Sequence, residues 1–378
     1  MTPPAPLLRL ISFDTILMSL SQGCGMKIQN RLRKYLLAVC ALGAAFVASP
    51  MPAWAAKSEL KVYFIDVEGG QATLFVTPVG QSLLIDTGWP ENAGRDADRI
   101  VAATKLAGVS KIDYVLLTHY HNDHSGGVPQ LVERIPVGTF IDHGANIDTK
   151  PGGATLDVWN AYQKVLATGK YKHITARPGD VIPIVGMKLT VISSDGKVID
   201  HPLPGGGEDN EYCKIPETKP MDRSENSHSL GVLINFGRLK ILDLGDLTWD
   251  KETQFMCPKN LLGNVDILVV SHHGFLPSSS HALVDAIHSK VAIMNNAPTK
   301  GGNVPVLDTV RQAPGLETLW QLHYSEEGGP EHNTAAEYIA NPQGSDEGNY
   351  LLLTASPNGS YTVFNSGNKQ SKHYAAAK

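Results

Sequence analysis

The chain has 378 residues, of which 42% are hydrophobic and 18% charged, with a formal net charge of −5. This composition excludes a disordered or collagenous chain and leaves room for one large globular domain or two small ones. The acidic balance argues against a polyanion-binding surface, and so against nucleic acid as a substrate.

Residues 1–25 carry no structural pattern and read as an extension ahead of a start at Met26. Residues 26–55 have the parts of a secretory signal peptide. Lys27, Arg31, Arg33 and Lys34 make a basic start, "LLAVCALGAAFVA" (36–48) an apolar core, and Ala53-Trp54-Ala55 a small-x-small cleavage site. The apolar core is too short to span a bilayer. The expectation is a periplasmic or secreted bacterial protein that begins near Ala56 and has no membrane span after signal removal. Without residues 1–55 the chain loses five Lys/Arg and one Asp, and its net charge becomes −9. Cys213 and Cys257 then remain. In an oxidising compartment they are expected to form a disulfide.

In the body, short strand patterns occupy 60–67, 72–77 and 81–88, followed by a helical pattern over 95–108. The apolar, β-branched run "IDYVLLT" (112–118) reads as a buried strand. A helix is expected over 128–135, a strand over 137–144, a helix over 155–169 and a strand over 187–194. The Gly-, Pro- and Asp-rich stretch 195–227 lacks periodicity, and a loop of that length in a compact domain is usually functional or pinned. Two strands joined by a Gly turn follow over 228–247, then a strand over 265–270, a helix over 281–289, a strand over 291–296, and a hairpin of 349–356 with 359–365. Strands alternating with helices predict an α/β fold. One domain is expected over 56–365, with a flexible tail over 366–378.

The chemistry concentrates in "LTHYHNDHSGG" (117–127). A lone histidine is usually a surface residue or a satisfied core residue. Here His119, His121, Asp123 and His124 fall within six positions, directly after a strand. Side chains two apart in extended chain point the same way, so His119 and His121 can converge on one point. Imidazole and carboxylate are the usual ligands of zinc and related divalent ions. Two later strand ends add the same residue types: "LDLGD" supplies Asp246, and "SHHG" supplies His272 and His273. An α/β sheet builds its site by bringing strand ends to one edge.

These motifs, with "LLIDTG" around Asp86, resemble in order and spacing the signature of the metallo-β-lactamase-fold hydrolases over about 60–295. "FIDVEGGQATLF", the Asn226–Ser229 stretch and "SHHG" are similar to the competence-protein-like branch. That branch includes the extracellular domain of a DNA-uptake channel and some phosphodiesterases. The resemblance implies an αββα sandwich of two mixed β-sheets flanked by helices, with a di-metal site at one edge. It puts His119 and His121 in one metal site, Asp123 and His124 in the other, and Asp246 as the bridge. One of His272 and His273 completes the second site, with His272 favoured because it directly follows the strand. His228 stands near the place where the family often supplies a further ligand and where the competence-like branch often does not.

The implied cofactors are two divalent ions, zinc with manganese or iron as alternatives. The implied activity is that of an exported hydrolase whose di-metal-bound hydroxide attacks a phosphoester or small ester, with Asp123 also orienting the nucleophile. A lactonase or β-lactamase-like acyl hydrolase, and a non-hydrolytic iron-binding or redox protein, are the alternatives. Asp86 is a candidate to fix an imidazole from behind. His143, Asn295, Asn296, Lys300 and His323 lie near strand ends and are candidates to line the pocket. Phe275 departs from the pattern, since a small residue more usually follows the glycine of "HHG".

Overall fold

The computed structural model describes residues 58–376. The expected extension and signal peptide lie outside the described residues. Among the described residues no helix is long and apolar enough to cross a membrane.

The strands in chain order are β1 Leu60–Phe64, β2 Thr73–Val76, β3 Ser82–Ile85, β4 Ile112–Leu116, β5 Val137–Asp142, β6 Lys172–Thr175, β7 Val181–Ile182, β8 Lys188–Ser194, β9 Lys197–Val198, β10 Glu208–Asp209, β11 Gly231–Phe236, β12 Leu239–Asp243, β13 Lys259–Asn260, β14 Ile267–Val269, β15 Val291–Met294, β16 Thr318–His323, β17 Ile339–Asn341, β18 Leu351–Ala355, β19 Tyr361–Asn365 and β20 Ser371–Tyr374. One sheet has the order β20-β19-β18-β1-β2-β3-β4-β5-β6. The other runs β17-β16-β15-β14-β12-β11-β8-β7, with β9 paired to β8. Both are mixed. β3 to β6 are parallel in the first sheet, and β12, β14, β15, β16 and β17 are parallel in the second.

Side-chain alternation along these strands builds three apolar layers. Leu83 and Ile85 of β3 meet Ile241, Ile267 and Val269 of the other sheet between the two sheets. Leu84 points outward and packs with Ala97, Ile100 and Ala103 of the helix Arg95–Ala107. Leu242 and Leu268 point outward on the other side, against Phe255, Leu283 and Val310 on helices. The result is the αββα sandwich. Strands covered on both faces read as continuous apolar runs, which explains "VLL" and "ILVV". Each fully buried Leu or Ile side chain contributes about 1.5–3 kcal/mol to this packing.

The stretch 195–227 is pinned as expected. Cys213 forms a disulfide with Cys257, with a Cα–Cα distance of 5.8 Å, and β10 pairs with β13. Several features differ from the sequence reading. β16 and the helix Val304–Gln312 fill the stretch between 296 and 349, where no element is predicted. The buried Gln321 interrupts the apolar pattern of β16, and its amide donates to Asn333 Oδ1 and His323 O. Finally, the tail expected to be flexible carries β20, which pairs with β19. Tyr374 holds it down by stacking on Tyr361 and accepting a bond from Trp320 Nε1.

Candidate metal centre

The parallel strands end at one edge, and their C-terminal ends carry the cluster. β3 leads to Asp86, β4 to His119–His124, β12 to Asp246, and β14 to His272 and His273. Glycines let these segments touch. A Cβ at Gly127 would sit 2.1 Å from Thr87 O, and one at Gly70 would sit 2.3 Å from Asp123 O. The chain leaves β14 in a left-handed conformation at both histidines, φ 56 at His272 and φ 54 at His273. Such geometry costs a non-glycine residue about 1–2 kcal/mol, and here it aims the imidazoles into the cluster.

Two groups form around Asp246. Asp123, His124, Asp246 and His273 bring ligand atoms within 4.8 Å of one another, and so do His119, His121 and Asp246. His124 Nε2 lies 3.0 Å from His273 Nε2, 3.2 Å from Asp246 Oδ2 and 3.4 Å from Asp123 Oδ2. His119 Nε2 lies 3.0 Å from His121 Nδ1 and 3.7 Å from Asp246 Oδ2. Asp246 Oδ1 is buried without a hydrogen-bond partner.

The outward-facing ring nitrogens fix where the protons are. His273 Nδ1 faces the carbonyl of Asn295 at 3.2 Å. It must donate, which leaves a lone pair on Nε2. Thr118 Oγ1 donates to Asp86 Oδ2 at 2.7 Å, so it accepts from His119 Nδ1 at 3.0 Å. His119 Nε2 is therefore also bare. His124 Nδ1 donates to Asp86 Oδ2 at 2.7 Å.

Charge completes the picture. Burial lowers the His124 pKa, but Asp246, Asp123 and Asp86 outweigh it and lift it well above the usual imidazole range. Burial raises Asp123 and Asp246, but the neighbouring histidines, and Lys300 at Asp123, hold both well below the usual carboxylate range. Burial and the His124 charge push His119 well down. Burial pushes His272 down to about 4. The cluster thus has ionised carboxylates, bare imidazole nitrogens and an unpartnered buried oxygen around a point that demands positive charge. A pair of divalent ions fits that donor set.

His273, rather than the favoured His272, joins Asp123, His124 and Asp246. His272 Nε2 stands 3.5 Å from Asp246 Oδ2 and 3.3 Å from Asn226 Nδ2. His228 stays outside both groups. It is 22% exposed, and its Nδ1 faces Asp195 Oδ1 at 3.3 Å. Among the pocket candidates, Asp86 holds His124, and Lys300 Nζ lies 2.5 Å from Asp123 Oδ2. Asn295 acts through its carbonyl. His143 pairs with Glu225, His323 with Asp66, and Asn296 bonds main-chain carbonyls. Thr118 and Glu225 escape the sequence reading, and Asn226 entered it only within the stretch that resembles the competence-like branch. Thr118 carried a signal, since it sits between the strand and the first histidine.

Residues 65–214 match the Metallo-beta-lactamase superfamily. The chain is 24% identical over 267 residues to "Recombination protein 2" of Haemophilus influenzae, an alignment covering 69% of this chain and 26% of that protein. A "Hydroxyacylglutathione hydrolase" of Xylella fastidiosa is 32% identical over 99 residues, covering 26% of this chain and 30% of the relative. The chain thus spans under a third of each relative's length. Among solved structures, the metallo-beta-lactamase fold protein YhfI from Bacillus subtilis superposes with a TM-score of 0.42 at 16% identity, over 70% of this chain and 95% of YhfI. By the family match, residues 65–214 lie in a metallo-β-lactamase superfamily domain.

Proposed function

We propose that this chain is an exported, metal-dependent hydrolase that acts on a phosphoester or small ester. The observation that carries the reading is Asp246, whose carboxylate belongs to both ligand groups. His119, His121 and Asp246 would hold one ion; Asp123, His124, His273 and Asp246 would hold the other. Zinc is the favoured metal for this nitrogen-rich set, with manganese and iron as alternatives. Such ions supply Lewis acidity and a water molecule acidified enough to attack at neutral pH.

The chain's own residues prepare the site. Asp86 and Thr118 orient His124 and His119. The Asn295 carbonyl orients His273. Hydrolase relatives and the superfamily match support the reaction class. The disulfide supports export, because such bonds persist in oxidising compartments. Residues 56–365 are proposed as the functional domain, which β20 extends through Tyr374.

The test is metal analysis of purified protein, followed by turnover of phosphodiester, phosphomonoester, lactone and β-lactam probes. Asp123→Ala should lose turnover and metal while keeping its circular dichroism, because apolar strands build the sandwich core. Full metal loading with unchanged turnover in that variant would sink the proposal. Turnover confined to lactone or β-lactam probes would move the substrate class to cyclic acyl compounds.

A further inference from the structure

We propose that Lys300 binds the negative charge of the substrate, and that the Asp246-centred site is therefore built for oxyanions, phosphoesters above all, rather than neutral esters or lactones. This inference rests on the hydrolase reading and narrows its substrate class.

Lys300 lies in the turn after β15, on the edge that carries the cluster. Its ammonium sits 2.5 Å from Asp123 Oδ2 and donates to Gly69 O. It also lies over two aromatic rings, 5.1 Å from the Trp89 centroid and 5.7 Å from that of Phe275. These rings come from opposite sheets, Trp89 after β3 and Phe275 after β14. The side chain is 28% exposed, so the ammonium is reachable from solvent.

The fold also fixes this position. The turn closes through Ala297 N donating to Lys300 O at 2.9 Å. Gly302 N donates to His273 O at 2.9 Å, which ties the turn to the cluster. A Cβ at Gly301 would lie 2.2 Å from His273 O, and one at Gly69 would lie 3.0 Å from Lys300 Cβ. Backbone packed this closely leaves the lysine stem little freedom. A charge carried on a fixed element is what an orienting group needs.

Charge favours the same role. In the metal-free protein, Asp123 balances the ammonium. A cation on Asp123 would take over that carboxylate and leave Lys300 beside positive charge with no anionic partner. Cation–π contact with two rings, each about 0.5–2 kcal/mol, favours the ammonium staying at the mouth. An oxyanion placed there meets the ammonium and the cluster together. A neutral ester leaves a partly buried ammonium uncompensated, which is unfavourable. Trp89 and Phe275 give the same mouth two flat apolar walls suited to an organic leaving group.

The test uses the metal-loaded full chain as wild type, Lys300→Met and Lys300→Arg. Methionine keeps a stem between the rings and removes the charge. Three quantities are read: metals per chain, inorganic phosphate affinity by calorimetry, and kcat/KM for bis(4-nitrophenyl) phosphate against 4-nitrophenyl acetate. The two esters share a leaving group and differ in charge. Lys300→Met should keep its metals, bind phosphate about tenfold more weakly, and lose about tenfold in the phosphate-to-acetate kcat/KM ratio. Lys300→Arg should recover most of both losses. Wild type that binds no phosphate, or Lys300→Met with unchanged phosphate affinity, overturns the inference. So does a loss of phosphate affinity that tracks a loss of metal, since the lysine would then act through the ions. If wild type hydrolyses neither ester, the hydrolase reading fails, and the calorimetry still decides the role of Lys300.

Discussion

Asp86→Asn tests whether metal binding depends on the tautomer of His124. Asp86 is fully buried and accepts from Thr118 N at 2.8 Å, Thr118 Oγ1 at 2.7 Å and His124 Nδ1 at 2.7 Å. With asparagine, the amide oxygen keeps Thr118 N, and the NH2 takes the place of Oδ2. Both groups there now face a donor. The NH2 donates to His124 Nδ1, so the imidazole carries its proton on Nε2. That proton points at His273 Nε2, 3.0 Å away, and a cation can take its place only if the ring is protonated at Nδ1 instead, against the NH2. The variant should lose about 1–3 kcal/mol of metal-free stability for its weakened buried bonds. Affinity for the ion at Asp123, His124 and His273 should fall about 10–100-fold. Chelator competition reads the affinity, and urea denaturation of metal-free protein reads the stability. A folded Asp86→Asn that binds both ions as tightly as wild type would refute the tautomer argument.

What was legible in the sequence follows from locality. The run 112–118 is buried on both faces, so it announces itself as a strand, and the residues after it must sit at that strand's end. The same holds for Asp246 after β12. The choice between His272 and His273 fails on a rule that is also local. Adjacency to the strand favours His272, but two consecutive left-handed residues turn the chain. Two left-handed non-glycine residues in succession are rare, so nothing local announces the turn. His228 misleads in a similar way. The strand expected from 228 begins at Gly231, and a 3-10 turn over Glu225–His228 precedes it. The turn directs Asn226 to His272 and His228 to Asp195. The contact of Lys300 with Asp123 spans 177 residues and depends on where two sheets meet, so no pattern along the chain encodes it.

Removing the Cys213–Cys257 bond, 44 residues apart in sequence, should cost about 4 kcal/mol on the loop-closure model. A Cys213→Ser, Cys257→Ser double variant with an unshifted denaturation midpoint would contradict this. Burial lifts Glu252 from 4.5 to about 7, against the bonds it accepts from Ser280 and Ser279. The native state then holds a proton that the unfolded chain releases, so the contribution is full below about 4.5 and lost above about 7. Glu252→Gln should therefore gain about 3 kcal/mol relative to wild type between pH 4 and pH 8, and an unchanged gap across that range would count against the shift. The last prediction separates the two histidines of "SHHG". Glycine is the right replacement at both, because φ 56 and φ 54 suit it without steric cost. His273→Gly removes a bare Nε2 from the Asp123–His124–Asp246 group and should lose one of the two ions. His272 already has partners for both ring nitrogens, Ser278 Oγ at 3.2 Å and Asn226 Nδ2 at 3.3 Å, so His272→Gly should keep both ions. Metals per chain after equilibration at low free zinc decides it. An ion lost from His272→Gly and kept in His273→Gly would return His272 to the second site and show that the left-handed exit from β14 does not set the ligand.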